Sequence, residues 1–545
     1  MAEQFKILVA DKLAPEGLKF IEDQPDCELV NKPGLSEEAY AQLADECDAM
    51  LVRSGIKVTP KIMASAKQLK VIARAGVGVD NIDLKAATDK GILVLNSAEA
   101  STISTAEHAF TLMMALCRNV GIAHLTVANG GWDRSKFNGI TLEGKTLAIV
   151  GFGRIGQTIA KRALVFGMDV IAYDPFINAK TMMDGKVKMF SDFKEMLPHA
   201  DIITFHVPKT EQTTGMLNKD TWKLCKKGVR VVNAARGGIV DETDLLEALE
   251  SGQCAGIALD VFTSEPPAED SPLRNHPKIL TTPHLGASTV EGQKAVSIIA
   301  IENALSYLRG QGVQGAVNAG GYRVDLTDHQ KLYVDLADRM ASLLAPICTR
   351  GIAKVSIELN GGNLKAASGT IERVVLMSLL KSSTETPVNV INVRTIADSR
   401  GMEVTSKLCD DKARGECLTV RVQGPEGSVT SDTHPADVDR HISGRVFEDK
   451  RPRVQEINGY YMDMVPADNM MLIRNEDRPG IIGLVGNTMG EAGVNIADMA
   501  ISRRDNTALM VLKVDDMPSA DLIAKLKAHD GILHVSSVKL PAEKA

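Results

Sequence analysis

The stretch Ala148-Ile149-Val150-Gly151-Phe152-Gly153-Arg154-Ile155-Gly156 decides how this 545-residue chain is to be read. An apolar, strand-like run, Thr146–Val150, leads directly into G-x-G-x-x-G, and a helical pattern follows. Each glycine meets its own physical demand. Gly151 allows a tight turn, Gly153 lets the backbone approach a pyrophosphate closely, and Gly156 lets the helix pack against the strand. The helix start, with Arg154 and Ile155 in its first turn, offers N–H groups and a positive dipole end to phosphates. The next strand-like run, Val170-Ile171-Ala172-Tyr173, ends in Asp174, eighteen residues beyond Gly156. A carboxylate there accepts hydrogen bonds from ribose hydroxyls and repels a 2′-phosphate, so NAD is the expected cofactor.

The alternation of strand and helix continues outward in both directions. Downstream, Ile202–Phe205, Val229–Val232 and Gly256–Val261 read as further strands. Upstream, Lys6–Val9, Ala49–Val52, Val71–Ile72 and Ile92–Leu95 read as strands, with Leu18–Gln24 and Glu37–Leu43 as helices between them. The expected fold is therefore α/β, with two Rossmann-like doubly wound units. Residues 102–130 read as one long helix ending near Asn129-Gly130-Gly131. A second helix, over 288–309, is expected to carry the chain back to the first unit. The expected domains are thus a discontinuous substrate-binding domain (1–97 plus 288–319) and an NAD-binding domain (98–287). An α+β intervening domain (320–465) follows them. Residues 468–545 give strand, helix, strand, strand, helix, strand, the ferredoxin-like βαββαβ order.

Composition narrows the class of function. Hydrophobic residues make up 44% of the chain and charged residues 24%, as in an ordinary globular protein. There are 62 Lys and Arg against 69 Asp and Glu, a formal net charge of −7, so no global basic footprint for nucleic acid exists. No apolar stretch approaches the roughly 20 residues that span a bilayer, and Phe5–Ala10 reads as a strand, not a signal core. Eight cysteines form no C-x-x-C pair, so no metal site is expected and a reducing, cytoplasmic setting is.

Three later segments carry chemistry. Val231-Val232-Asn233-Ala234-Ala235-Arg236-Gly237-Gly238 delivers an arginine past a strand end, where open α/β sheets bind ligands. Leu259-Asp260-Val261-Phe262 leads to Glu265-Pro266-Pro267, and Thr282-Pro283-His284-Leu285-Gly286-Ala287-Ser288-Thr289 supplies a histidine. Oxidising a 2-hydroxy acid needs a fixed cation for the carboxylate, and the planar fork of Arg236 suits this. It needs a base for the hydroxyl proton, a role for His284. It also needs a carboxylate to orient the imidazole and stabilise the imidazolium, a role for Glu265.

Taken together, GFGRIG, NAARGGIVDE, ALDVFTSEPP and PHLGAST resemble the D-2-hydroxyacid dehydrogenase family over about residues 5–315. The resemblance implies that Arg236, Glu265 and His284 are catalytic. It also implies that Pro208, Ala234, Asp260, His284, Gly286 and Ala287 bind the cofactor alongside Gly151, Gly153, Arg154, Ile155, Gly156 and Asp174.

The family handles several hydroxy acids, and further segments choose among them. Val52-Arg53-Ser54-Gly55 and Arg74-Ala75-Gly76-Val77-Gly78-Val79-Asp80-Asn81 resemble substrate-domain motifs of the members that oxidise 3-phosphoglycerate. Arg53, Ser54, Arg74, Gly76 and Val77 are therefore expected substrate residues, the glycines letting N–H groups approach an anion. Arg134 and Lys136 are expected to join Arg53 around a phosphate. Residues 320–465 look like the intervening domain of the long members. Asn475-Glu476-Asp477-Arg478-Pro479-Gly480, followed by Gly493-Val494-Asn495-Ile496, resembles the ACT domain, which implies L-serine as an effector at Asn475, Asp477 and Asn495. The same resemblance implies a homo-oligomer. Two alternatives stand: a glycerate or hydroxypyruvate/glyoxylate reductase, and a NAD-sensing corepressor on the same fold. The cluster Arg445, Lys450, Arg451 and Arg453 reads as a solvated basic surface.

Overall fold

The glycine loop lies at the middle of the largest sheet in the computed structural model, which describes residues 4–177, 179–348, 351–381, 388–425 and 439–542. A first sheet of five strands precedes it: β1 (Phe5–Val9), β2 (Cys27–Asn31), β3 (Ala49–Val52), β4 (Val71–Arg74) and β5 (Leu93–Asn96). They pair in parallel in the order β2-β1-β3-β4-β5. Helices crossing between parallel strands cover both faces, so β3 is wholly buried and β4 and β5 nearly so. The sequence reading misses β2. It is an edge strand whose residues are exposed or half-buried, so no apolar run announces it.

The return of the chain is present. The Val290–Leu308 helix lays Val296, Ala300, Ile301, Ala304 and Leu305 on the core that holds Ile7, Val9, Leu51 and Leu93. Asn318 then closes the first unit by donating to Ile92 O and accepting from Val94 N.

The second sheet contains β6 (Thr146–Val150), β7 (Asp169–Tyr173), β8 (Thr181–Met182), β9 (Val187–Phe190), β10 (Ile202–Phe205), β11 (Val229–Asn233), β12 (Cys254–Leu259) and β13 (Ile279–Thr281). Its order is β13-β12-β11-β10-β6-β7-β9-β8, parallel except at β8. The chain runs outward from β6 to one side and restarts at β10 on the other. The crevice at the carboxyl ends of β6 and β10 is thus the topological switch point, where such sheets bind ligands. Phe152, fully buried inside the glycine loop, anchors it, a burial that contributes about 1.5–3 kcal/mol.

One expectation is corrected. Residues 102–130 form two helices, Thr102–Cys117 and Val120–Ala128, that meet at 66°. Asn119 breaks the run by taking a left-handed φ of 54°, which asparagine tolerates better than most residues. No single helix among the described residues is long and apolar enough to cross a membrane.

The third sheet has β14 (Lys354–Asn360), β15 (Glu403–Cys409), β16 (Cys417–Gln423), β17 (Asp439–Val446), β18 (Pro452–Ile457) and β19 (Tyr460–Met464). It is mixed, with only β14 and β15 parallel. The fourth has β20 (Asn469–Glu476), β21 (Ile496–Arg504), β22 (Thr507–Val514) and β23 (Ile532–Lys539). Its antiparallel order β21-β22-β20-β23 is the expected ferredoxin-like one. Met470, Leu472, Leu509 and Val511 pack into the core beneath the third sheet, so the two C-terminal units share one apolar cluster.

Candidate active site

The three glycines of the loop do three different things. Gly151 has a φ of 91°, and a Cβ there would collide with the His206 carbonyl. A Cβ on Gly156 would collide with the Gly151 carbonyl, so this glycine lets helix and strand close up. A Cβ on Gly153 would meet nothing within 4 Å. Gly153 is also the N-cap of the Arg154–Val165 helix, and no side chain caps that helix, so its first N–H groups face a cradle suited to an anion. Ile155 packs partly into the core, while Arg154 pairs with Glu99 at the crossing between the two units. Asp174 is fixed beside the loop, accepting from Phe152 N at 2.9 Å and Phe176 N at 3.0 Å. Pro208 follows β10, across the switch point, and its carbonyl accepts from the Thr213 hydroxyl at 2.6 Å. An open helix N-terminus with a carboxylate held at the next strand end fits a dinucleotide.

The expected pair of His284 and Glu265 is formed. His284 Nδ1 lies 2.7 Å from Glu265 Oε2, and Glu265 Oε1 accepts from Phe262 N at 3.0 Å. An ionised carboxylate only accepts, so Nδ1 carries the hydrogen and Nε2 is left with its lone pair. Burial pushes the Glu265 carboxyl up, but the bonds from His284 and Phe262 N outweigh it and hold the group below the usual carboxylate range. Both side chains line a cleft of about 340 Å³ together with Phe262, Pro266, Thr282 and Pro283.

Asp260 and Ala234 are buried behind this pair. The Asp260 carboxylate accepts from Thr282 Oγ1 (2.6 Å), Leu285 N (2.7 Å) and Gly286 N (2.9 Å), and it lies 3.1 Å from His108 Nε2. Its carbonyl accepts from His284 N at 2.9 Å. The Ala287 carbonyl is taken by Gln293 Nε2 at 2.8 Å.

Arg236 emerges from a bend after β11 that Asn233 holds. The Asn233 side chain donates to Arg236 O at 2.9 Å and accepts from Ala235 N at 3.2 Å. The guanidinium donates through Nε to Asp80 Oδ2 at 3.0 Å and through Nη1 to Ala235 O at 2.6 Å. It crowds Gly78, where any Cβ would collide with Nη2.

Arg53 and Arg74 are on the facing loops of the first unit. Asp11 accepts from Arg53 N (3.1 Å) and Gly55 N (2.7 Å), which ties down the loop carrying Ser54. Asn81 donates to Arg53 O (2.6 Å) and Ile56 O (2.7 Å) and accepts from Arg74 Nε (3.1 Å). Gly76 has a φ of 153°, and a Cβ there would collide with Arg74 Nη1. The Val77 carbonyl accepts from Asn96 Nδ2 at 2.7 Å. Burial, then the nearby charges of Arg236 and Arg53, push the Arg74 pKa down to about 10, which still leaves it cationic at neutral pH. Arg53 Nη1 donates to Lys12 O at 3.1 Å, and its charge and that of Arg236 both act on Arg74.

Two further expected groupings lie on other segments. Arg134 and Lys136 sit exposed on a one-turn segment, Arg134–Phe137, with Lys136 paired to Asp133. Asn475 and Asp477 lie at one end of the fourth sheet, where Glu476 pairs with Thr507. Asn495 precedes Ile496, which pairs with Val514 at the other end, on the order of 20 Å away by strand rise. Antiparallel pairing makes this separation unavoidable, so the three do not form one pocket in a single chain. The sequence reading gave no role to Asp11, Asp80, Asn81 or His108. Asp80 and Asn81 lie within a quoted motif and were open to notice, whereas His108 has no spacing signal at all.

Comparison with known proteins agrees with the architecture. The model for the D-isomer specific 2-hydroxyacid dehydrogenase NAD binding domain matches residues 110–286. The D-3-phosphoglycerate dehydrogenase intervening domain matches 329–458, and the ACT domain matches 470–531. The D-3-phosphoglycerate dehydrogenase of Methanocaldococcus jannaschii is 36% identical over 98% of this chain and 100% of its own length. That of Bacillus subtilis is 37% identical over 98% of this chain and 100% of its own. Among solved structures, an NAD-dependent formate dehydrogenase from Staphylococcus aureus in complex with NAD is 29% identical with a TM-score of 0.52. It covers 57% of this chain and 99% of its own.

Proposed function

This chain belongs to the D-3-phosphoglycerate dehydrogenase family, and from that membership we infer the reaction its site performs. It oxidises C2 of 3-phospho-D-glycerate to give 3-phosphohydroxypyruvate, the opening step of L-serine biosynthesis. The observation that supports the choice of substrate is that Arg53 and Arg236, from the two units, lie near enough to Arg74 for their charges to act on it. Three cations suit an acid with a carboxylate at one end and a phosphate at the other.

In the reading we propose, Arg236 holds the substrate carboxylate by its planar fork. Arg53 and Arg74 take the phosphate, and backbone at Gly76 and Val77 approaches the acid group. Gly151, Gly153, Gly156, Asp174 and Pro208 hold NAD, which supplies the hydride acceptor. His284 Nε2 takes the hydroxyl proton as the C2–H bond breaks, and Glu265 stabilises the resulting imidazolium. Asp260 keeps the turn bearing His284 in place. Closure of the two units about residues 98 and 287 excludes water before transfer.

We also propose that the chain acts as a homo-oligomer. The Val120–Ala128 helix buries none of its residues, with Leu125 56% and Val127 54% exposed, which leaves an apolar face for a second copy. The phosphate role read for Arg134 and Lys136 then belongs to such a pair. The ACT domain supports control by a small amino acid, with L-serine as our proposed effector. Its contacts at Asn475, Asp477 and Asn495 likewise require two paired domains. The test is NADH formation from 3-phospho-D-glycerate and NAD, with and without L-serine. Turnover supports the reaction, and suppression by serine supports the effector. Turnover insensitive to serine removes the effector alone.

A further inference from the structure

We propose that His108 is a positioning residue for proton transfer, acting through the buried carboxylate of Asp260 on the turn that carries His284. The proposal rests on the reading of His284 as the base. It starts from a conformational oddity: His284 has a φ of 55°, a left-handed backbone that a non-glycine residue keeps only where its surroundings over-determine it.

The surroundings here are Asp260. Its carbonyl binds His284 N, its Oδ1 binds Thr282 Oγ1 and Leu285 N, and its Oδ2 binds Gly286 N. Residues 282, 284, 285 and 286 therefore all hang on one aspartate. That aspartate has no solvent exposure, and a carboxylate buried so completely stays ionised only while donors surround it.

The donor that comes from another element is His108, on the Thr102–Cys117 helix. Its Nε2 sits 3.1 Å from Asp260 Oδ1 and 3.2 Å from Thr282 Oγ1. The carboxylate can only accept, so Nε2 carries the hydrogen and donates into this pair. One turn earlier on the same face, Ser104 Oγ lies 2.8 Å from Thr289 Oγ1, just past the same segment. The helix that begins at the crossing between the two units thus grips the catalytic turn at both ends, and His108 supplies its charge-directed contact.

The test compares His108→Leu, which keeps bulk and removes the donor, with His108→Gln, whose amide can donate from a similar place. In the full-length enzyme the Leu variant should lower kcat roughly tenfold, the scale of one hydrogen bond to a charged group. The KM for 3-phospho-D-glycerate and the Kd for NADH should stay at wild-type values. The deuterium isotope effect on kcat with C2-deuterated substrate should rise, because chemistry becomes slower than release. The Gln variant should restore turnover. A Leu variant with wild-type kcat and isotope effect would overturn the proposal. So would a folded Gln variant that does not recover turnover, which is the readout to use if the Leu variant fails to fold. A wild-type enzyme inactive on this substrate would overturn the functional reading and this proposal with it. An active wild type with an indifferent Leu variant would overturn only the role of His108.

Discussion

Arg236 Nε donates to Asp80 Oδ2 at 3.0 Å, so the guanidinium proposed to clamp the substrate carboxylate is tied to a loop of the first unit. The bond crosses the cleft between the loops after β4 and β11, and Gly78 makes room for the guanidinium that forms it. Arg236 is therefore held from both units, by Ala235 O of its own and by Asp80 of the other. Replacing it removes both the clamp and the tie.

The expected outcome of Arg236→Ala is a fall in kcat/KM of about 10² or more, the scale of losing the bidentate charge pair with a bound substrate carboxylate. Arg236→Lys should recover only part, because an ammonium does not reproduce the planar fork. Steady-state kinetics check this. Near wild-type kcat/KM in the Ala variant would remove the carboxylate role.

His284→Ala should lose on the order of 10²–10⁴ in kcat while still binding NADH, as removal of a general base does. Glu265→Gln should lose less, since an amide can still accept from Nδ1 without stabilising the imidazolium as well. Fluorescence titration with NADH separates binding from chemistry. Loss of NADH binding in the Ala variant would mean that His284 serves the cofactor cradle.

Asp174→Ala should relax the preference for NAD over NADP. The carboxylate is fixed at the strand end by Phe152 N and Phe176 N, in position to repel a 2′-phosphate. The ratio of kcat/KM values for the two cofactors measures it. An unchanged ratio would move discrimination to another residue.

Asp260 gives a pH dependence whose sign can be worked out. Burial pushes its carboxyl up, but His108, Thr282 and Leu285 N together hold it below the usual carboxylate range. The folded chain then binds that proton less tightly than the unfolded chain. Its contribution to stability is complete above the unfolded pKa, about 3.9, and is lost as pH falls through the lower folded value. Acid unfolding should therefore be steeper for wild type than for Asp260→Asn below about pH 4. Parallel curves would show that Asp260 is not held as an anion in the fold.

The nucleotide half of the site was the more legible in the sequence. Its function depends on local order: strand, three glycines, helix and a carboxylate one strand later. Each of these has a steric reason that survives in any context. Arg236, Glu265 and His284 could be found because each follows a strand end of the same parallel sheet. Contacts made across the chain were not legible. His108 meets Asp260 over 152 positions, and Asp80 meets Arg236 over 156. The first comes from a helix packed on the second sheet and the second from the meeting of the two units, and no local period encodes either. β2 escaped notice because an edge strand needs no apolar run, and the break at Asn119 because both flanking helices are apolar. The placement of Asn495 apart from Asn475 followed from strand order, which the βαββαβ reading already contained but did not spell out.

The most direct test of the account is the rate of NADH formation with 3-phospho-D-glycerate measured beside D-glycerate, for wild type and Arg74→Ala. The account predicts strong preference for the phosphorylated acid in wild type. It also predicts that most of this preference disappears when Arg74, one of the two proposed phosphate ligands, is removed. Equal turnover of both acids by wild type, or turnover of D-glycerate alone, would contradict the assignment of 3-phosphoglycerate while leaving the dehydrogenase site intact.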